Sequence, residues 1–432
     1  MSAPAPLSLY LHWPFCGSKC PYCDFNSHES RHIPEPEYIA ALLEDLRQDQ
    51  ALSGGRPIAT VFFGGGTPSL FAPESYAHLL QAIHQIIPIA PDAEITLEAN
   101  PGTFEADKFA GFRRAGINRL SIGVQSFNPE HLSALGRIHD REQAIRAIAT
   151  ARDQGFERLN VDLMHGLPHQ TQEQALADLE QALALQPSHL SWYQLTIEPN
   201  TRFFSQPPLL PEEDTLADIE DAGHALLADA GLQQYETSAY RQPGQQCRHN
   251  LNYWRFGDYL ALGAGAHGKI TDPQQGRILR YRKTRLPRDY LDPDKAFTAA
   301  RDPVAREDLP FEFFMNALRL LEPIPKALFS ERTGLDTKRV ATAVAEAVAD
   351  GLLLETADHW QTTPLGQRFL NDLLTDPRSA KNFRSRVFDD CLTRPRSAKN
   401  FRSRFVDDCL RPENGRFFDF SGGGPLSETL RC

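Results

Sequence analysis

Short apolar runs alternate with helix-period segments through the first 200 residues. The runs at 7–13 (LSLYLHW), 59–64 (ATVFFG), 94–100 (EITLEAN), 119–127 (RLSIGVQSF), 158–166 (RLNVDLMHG) and 189–199 (HLSWYQLTIEP) read as strands, each closed by a turn signal. Between them EPEYIAALLEDLRQDQ, SYAHLLQAIHQII, EADKFAGFRRAG, REQAIRAIATARDQG and QEQALADLEQALALQ space their apolar residues at helical period. This alternation predicts parallel βαβ units with right-handed crossovers. Six in succession predict an α/β fold, a partial (β/α)6 TIM-like barrel, with its chemistry on the loops that follow the strands.

After Pro199 the pattern loosens into a Pro-rich connection, NTRFFSQPPLLPEE, followed by a helix (TLADIEDAGHALLADAG) and strands in QQYETSAY and DYLALGAGAH. From about 306 to 374 three helices, a hairpin (LLLETADHWQTT) and a closing helix predict a small C-terminal winged-helix-like α+β domain. The expected division is a barrel core over 1–200, an extension over 201–305 that completes it, a C-terminal domain over 306–376 and a tail over 377–432. In the tail PRSAKNFRSRVFDDCL recurs as PRSAKNFRSRFVDDCL at a period of 18 residues. Two copies are too few for a solenoid, and a tandem duplication with a disordered product is the expected reading. The tail holds 12 Lys/Arg and 7 Asp/Glu, so 12 − 7 = +5 of the net −11, leaving −16 on the body. A basic arm for an acidic partner is the other reading of that charge.

Hydrophobic content of 41% and charged content of 23% are those of a globular protein. No run of 18 apolar residues predicts a membrane span, and MSAPAPLSLYLHWPF lacks the basic start and cleavage site of a signal peptide. An odd count of seven cysteines, three of them clustered, argues against a secreted disulfide framework and for a reducing cytoplasm. Net charge of −11 argues against a nucleic-acid partner.

Cys16, Cys20 and Cys23 in HWPFCGSKCPYCDFNSH carry the strongest chemical signal. A cubane iron–sulfur cluster has four irons and normally takes four thiolates. Three thiolates on one tight loop leave one iron open to another ligand. A zinc site of the three cysteines completed by His12 or His28 is the bland alternative, although structural zinc usually pairs two separated ligand pairs.

Further polar residues fall at successive strand ends. In FGGGTP, Gly65, Gly66 and Thr67 let a ligand approach the backbone and leave amides to bond it, or else form only a tight turn. Glu98 in EANP, Gln125 in GVQSF, Arg137 in LGRIH and Asp162 in NVDLMHGLP follow on the same face. Carboxylates can accept from ribose hydroxyls or an ammonium, and Arg can hold a carboxylate. Singly, each residue is as well explained as barrel-mouth structure. Together they describe a pocket for a polar ligand with amino-acid and ribose parts.

These residues resemble the radical S-adenosylmethionine (SAM) superfamily, in its branch of oxygen-independent coproporphyrinogen III dehydrogenases and heme chaperones. The resemblance covers roughly 7 to 374, through YLHWPFCGSKCPYCDFNSH, GGGTPSL, EANPGT, GVQSF, LGRIH, DLMHGLP, LSWYQLTIEPNT and HNLNYW. It implies that Cys16, Cys20 and Cys23 bind a [4Fe–4S] cluster whose open iron takes the SAM amino and carboxylate groups. It implies SAM contacts from Tyr10, Gly65, Gly66, Thr67, Glu98, Gln125, Arg137 and Asp162, and an electron donor for the cluster. An electron from the cluster would cleave the SAM carbon–sulfur bond and release a 5′-deoxyadenosyl radical.

Within the branch the chaperone arm is nearer. The dehydrogenases carry an extra cysteine where this chain has Phe25, and a long N-terminal extension where only 15 residues precede Cys16. The resemblance therefore implies heme binding and heme delivery to respiratory hemoproteins, with decarboxylation of coproporphyrinogen III as the alternative. For the heme, His249 in HNLNYW offers an imidazole with aromatic surface nearby, and the resemblance points to the same segment. A hydrogen-bonded structural histidine is the competing reading. His267 in GAGAHG is a second candidate, Cys247 a weaker one, and Cys20-Pro21 is better used by the cluster. No segment anchors the chain in a membrane, and monomer and homodimer both stay open.

Overall fold

The computed structural model describes residues 5–103, 106–272 and 274–375. The duplicated tail, with Cys391, Cys409 and Cys432, lies outside them. Strands β1 (Leu7–Trp13), β2 (Ile58–Gly65), β3 (Ile89–Ala99), β4 (Arg119–Gln125), β5 (Arg158–His165) and β6 (His189–Gln194) pair in that order, all parallel. Helices α1 (Glu35–Asp49), α2 (Pro73–Ile86), α3 (Ala106–Arg114), α4 (Arg141–Asp153) and α5 (Gln172–Ala184) make the crossovers. The (β/α)6 expectation stands, and the parallel part gains one more strand.

That strand is β9 (Asp258–Leu262), which pairs parallel with β1 in the register Leu7↔Asp258. It arrives after a short antiparallel hairpin on the far edge, β7 (Gln233–Glu236) and β8 (Ala239–Arg241), preceded by helix α6 (Glu213–Asp229). A helix of one sequence motif, α7 (Arg248–Trp254), leads into it. An antiparallel extension, β10 (His267–Thr271), β11 (Ile278–Lys283) and β12 (Thr298–Pro303), follows. The 12-stranded sheet runs β12-β11-β10-β9-β1-β2-β3-β4-β5-β6-β8-β7, with no pairing between its two edges among the described residues. The barrel is thus open.

Three runs are shorter than the sequence predicts. The run 189–199 leaves the sheet at Gln194, well ahead of Pro199 and of Asn200, which takes a left-handed φ of 64°. QQYETSAY folds back on itself as β7 and β8. DYLALGAGAH breaks where Gly263 and Gly265 adopt φ of 98° and 82°. A Cβ on Gly263 would lie 2.4 Å from the His12 carbonyl oxygen, so glycine is required there.

Alternation within each parallel strand separates two environments. Leu7, Leu9, Leu11 and Trp13, with Val61, Phe63, Leu97, Leu120, Ile122, Leu159, Val161, Leu190 and Trp192, belong to the main apolar core under the helices. Trp13 stacks on Tyr76 at 5.6 Å and meets Phe63 and Phe71 edge-on at 5.4 Å; each such pair contributes about 0.5–1.5 kcal/mol beyond burial. The opposite rows face the lumen and are polar: Ser8, Tyr10 and His12; Glu94, Thr96 and Glu98; Ser121 and Gln125; Asn160 and Asp162; His189 and Ser191. Helix starts are fixed by side chains. Asp140 with Gln143, and Thr171 with Gln174, form capping boxes at α4 and α5.

The small C-terminal unit has its own core of Phe313, Phe314, Phe329, Val344 and Trp360. Helices α8 (Leu309–Ala317), α9 (Lys326–Thr333) and α10 (Ala341–Ala349) cover a three-stranded sheet of β13 (Ile324–Pro325), β15 (His359–Thr362) and β14 (Leu353–Glu355). This is the helices-plus-wing arrangement that the pattern predicts. It docks through backbone bonds from Thr237 N–H to the Arg319 carbonyl and from Leu321 N–H to the Tyr235 carbonyl.

Candidate functional site

The loop after β1 holds the three cysteines, and its geometry is set by polar anchors. Asn26 donates from Nδ2 to the carbonyls of Ala264 (2.8 Å) and Arg285 (2.9 Å). Lys19 Nζ donates to the carbonyls of Phe25 and Ser27, both at 3.1 Å. Phe15–Cys16 pairs with His28–Glu29, closing the loop's base. All three thiols are unbridged; Cys16 is buried, Cys20 and Cys23 are half-buried. Cys23 Sγ lies 3.5 Å from Ser27 Oγ. Burial, and then the neighbouring Cys23, push the Cys16 thiol up to about 11; a bound cation would reverse that by favouring the thiolate.

The glycine turn is bound to this loop, and here the structure corrects the sequence reading. The amides expected to face a ligand are used internally. Gly66 N–H donates to the Trp13 carbonyl (2.6 Å), Thr67 N–H to the Phe15 carbonyl (2.8 Å) and Gly65 N–H to Glu98 Oε2 (3.0 Å). A Cβ on Gly66 would sit 2.4 Å from the Phe15 oxygen. Glycine is therefore needed so that the turn can press against the residue next to Cys16.

From there a connected set of polar groups crosses the mouth. Thr67 Oγ1 accepts from Asn100 Nδ2 (3.1 Å), and Asn100 Oδ1 accepts from Arg137 Nη2 (2.5 Å). Arg137 also donates to the Gly123 carbonyl (2.7 Å) and approaches Cys20 Sγ at 3.6 Å. Its Nε is buried with no partner among the described residues. Gln125, held at φ 71°, accepts from the Tyr193 hydroxyl at 2.9 Å. A Cβ placed on Gly64 would lie 3.1 Å from the Tyr10 ring and 3.2 Å from Glu98, so those two side chains flank one strand end. Asp162 lies deeper, accepting from Ser121 Oγ (2.9 Å) and Asn160 Nδ2 (2.8 Å), and burial raises its carboxyl to about 6.

Tyr10, Gly65, Gly66, Thr67, Glu98, Gln125, Arg137 and the three cysteines thus meet at one end of the barrel, with Asp162 below them. Asn100, Tyr193 and Tyr22, which lies close to Arg137, Cys20 and Tyr193, belong to the same constellation and escaped the sequence reading. Asn100 was legible two places after Glu98 in EANP. Tyr22 and Tyr193 carry no local mark.

The donor set fits a thiolate-held cluster better than a zinc ion. His12 pairs through Nδ1 with the Tyr10 hydroxyl (2.9 Å) and through Nε2 with the Asn26 carbonyl (3.0 Å), so both its nitrogens are engaged. His28 Nε2 is 3.2 Å from Asn26 Oδ1. Among the described residues no three His, Cys, Asp or Glu side chains converge as a single ion requires. Zinc would need its thiolates within about 2.3 Å of one centre, whereas a cubane holds each at a separate corner.

His249 is not brought to this mouth. It lies on α7, which fills the opposite, N-terminal end of the barrel. His249 Nδ1 pairs with Thr60 Oγ1 (2.7 Å) and Nε2 with the Tyr253 hydroxyl (2.8 Å), and its ring packs on Phe62 at 4.9 Å. Its backbone N–H donates to Glu94 Oε1 (3.0 Å). Burial lowers its pKa to about 3. Asn252 Nδ2 donates to Ser8 Oγ and to the Asp258 carbonyl, and Cys247 is buried beside Glu94. The motif thus forms a hydrogen-bonded plug, and axial ligation through either nitrogen of His249 would break the buried bond which that nitrogen makes. His267 is half-buried on β10, its pKa lowered to about 4 by burial and then by Arg280 and Arg282.

Comparison with known proteins agrees with the fold. The model of the radical SAM superfamily matches residues 10–182, and that of the HemN C-terminal domain matches residues 304–369. The heme chaperone HemW of Escherichia coli is 55% identical over 370 residues, covering 85% of this chain and 97% of the relative. HemW of Haemophilus influenzae is 53% identical over 374 residues, covering 85% and 97%. Among solved structures, the E. coli coproporphyrinogen III oxidase HemN, a radical SAM enzyme, superposes with a TM-score of 0.73 at 25% identity, covering 86% of this chain and 89% of that one.

Proposed function

Because this chain belongs to the radical SAM superfamily, in the branch that holds the HemW heme chaperones, we propose that it binds heme and delivers it to respiratory hemoproteins. The observation that carries this is the 55% identity to E. coli HemW across 97% of that chaperone's length. Family membership implies a [4Fe–4S] cluster and SAM. We assign the cluster to Cys16, Cys20 and Cys23, and SAM to Tyr10, Gly65, Gly66, Thr67, Glu98, Gln125, Arg137 and Asp162.

When bound at Cys16, Cys20 and Cys23, the cluster would supply one electron to a sulfonium ligand held beside it. The chain's own residues do the holding. Arg137, positive at any working pH and with Nε still unsatisfied, offers a fixed donor for a carboxylate. Glu98 offers an acceptor for an ammonium, and with the turn amides already used the turn adds carbonyl oxygens rather than donors. Asp162, Gln125 and Tyr10 supply the deeper polar wall for a ribose.

The further assignments are a cytoplasmic location, an electron donor for the cluster, and a division into barrel core, extension, C-terminal domain and tail. No helix among the described residues is long and apolar enough to cross a membrane. Anaerobic reconstitution followed by hemin titration tests the reading. A chaperone gives cluster absorption, four irons per chain and saturable heme binding. Protein that takes up no hemin overturns it.

One observation favours a second reading, oxygen-independent decarboxylation of coproporphyrinogen III: the fold follows HemN across 86% of the chain. Phe25, in place of the extra cysteine, stands against it. Incubating the reduced, SAM-loaded protein with coproporphyrinogen III decides between them, because formation of protoporphyrinogen would make the chain an enzyme.

A further inference from the structure

If heme is the cargo, the plug at His249 leaves it to be seated elsewhere, and the outer rim of the cluster mouth carries what a tetrapyrrole needs. Seven large apolar side chains are conspicuously exposed among the described residues. Four lie on the small C-terminal unit; Ile138 (66%), Phe204 (57%) and Leu209 (70%) lie on loops that leave the C-terminal ends of β4 and β6. The loop leaving β5 brings a histidine to the same place. His169 is exposed, its ring has no hydrogen-bond partner among the described residues, and its N–H donates to the Leu209 carbonyl at 3.2 Å. His169 stands at φ 58°, a left-handed conformation that a non-glycine residue rarely adopts.

The rim is also continuous with the cysteine loop. Phe203, next to Phe204, donates from its N–H to the Pro21 carbonyl (3.0 Å), and its ring lies 6.4 Å from that of Tyr22. Arg202, exposed on the same turn, has no ion pair among the described residues.

We infer that His169, Phe204, Leu209 and Arg202 form the heme seat of this protein, with the His169 imidazole as axial ligand. The inference rests on the heme-chaperone reading. The chemistry is specific in three respects. A neutral imidazole is an iron ligand. Phe204 and Leu209 give a macrocycle apolar surface that is otherwise left in water. Arg202 offers the cation that a heme propionate needs. A seat here places the porphyrin beside Tyr22, one residue from Cys23, rather than at the sealed end.

The experiment is titration of ferric hemin into the anaerobically reconstituted full chain, followed at the Soret band and by electron paramagnetic resonance. His169→Ala should weaken hemin at least tenfold and change the axial-ligand signature. His169→Met, a ligand of another type, should restore binding with a different spectrum. The double variant Phe204→Ser with Leu209→Ser should weaken binding about tenfold and keep the histidine signature, and Arg202→Gln should weaken it severalfold. His249→Gln should leave both affinity and signature in place. Cluster content and thermal midpoint, read on the same samples, identify any variant that has lost its fold. Undiminished binding by a folded His169→Ala variant with an unchanged spectrum overturns the seat and leaves the chaperone reading standing. A wild-type chain that takes up no hemin overturns both.

Discussion

At the C-terminal end of the barrel, Arg137 reaches from Asn100 to within 3.6 Å of Cys20 and keeps an unsatisfied nitrogen. At the N-terminal end, Glu94 is fully buried, meets Arg119 at 3.9 Å and Arg158 at 3.3 Å, and accepts the backbone N–H of His249. Both ends are dense in polar side chains, and both carry one of the chain's most conspicuous motifs. The difference lies in how the groups are satisfied. At one end donors and thiols are left over for something that is not protein. At the other, α7 enters the lumen and its His249, Asn252 and Tyr253 side chains find partners inside the fold, the buried Trp254 Nε1 being the exception. Leftover bonding capacity, rather than polarity, separates a site from a seal.

The largest effect expected from breaking this contrast is at the mouth. Cys16→Ala should abolish the cluster, bringing iron and acid-labile sulfide close to zero after reconstitution, while the urea unfolding midpoint of the apoprotein changes little. Next comes the seal. Glu94→Ala would take the carboxylate from the almost wholly buried Arg119 and from the partly exposed Arg158, and should cost about 3–5 kcal/mol in urea unfolding. If Glu94→Ala instead spared stability and removed the cluster, the division between the ends would fail.

Acidification sharpens the comparison. His249 is neutral in the fold with its pKa lowered to about 3, against 6.5 unfolded. The unfolded chain therefore takes up the proton first, and stability present above pH 6.5 is lost as pH falls toward 3. Between pH 7 and pH 5 this one residue should cost about 2 kcal/mol, and His249→Gln should make the decline of the unfolding midpoint correspondingly shallower. The smallest effect expected is Glu98→Gln, which should weaken SAM about tenfold in equilibrium binding, or about 1.4 kcal/mol, and leave cluster content unchanged.

Much of the frame was legible because it is local. The strands from Leu7 to His189 announce themselves by period, and Cys16, Cys20 and Cys23 by spacing within one loop. What escaped depends on contacts across the chain. That DYLALGAGAH is two strands follows from Gly263 lying under His12, a neighbour some 250 residues away in sequence. That HNLNYW is a plug follows from Thr60, Glu94 and Ser8, none of which is near it in the chain. An imidazole beside tyrosine and tryptophan has the same spelling whether it holds a ligand or a strand. His169 escaped for a related reason: nothing in GLPHQ marks it until the 204–209 segment is folded against it.

Asn26 has a consequence for the order of events in the cell. Its amide clamps the cysteine loop to the Arg285 carbonyl, 259 residues downstream. A ribosome adding about 5–20 residues per second leaves the loop without that clamp for roughly 10–50 s after the last of its thiols has been made. During nascent growth, Cys16, Cys20 and Cys23 emerge on a loop that lacks this tether until Arg285 has been made and β9 has been threaded in beside the first strand.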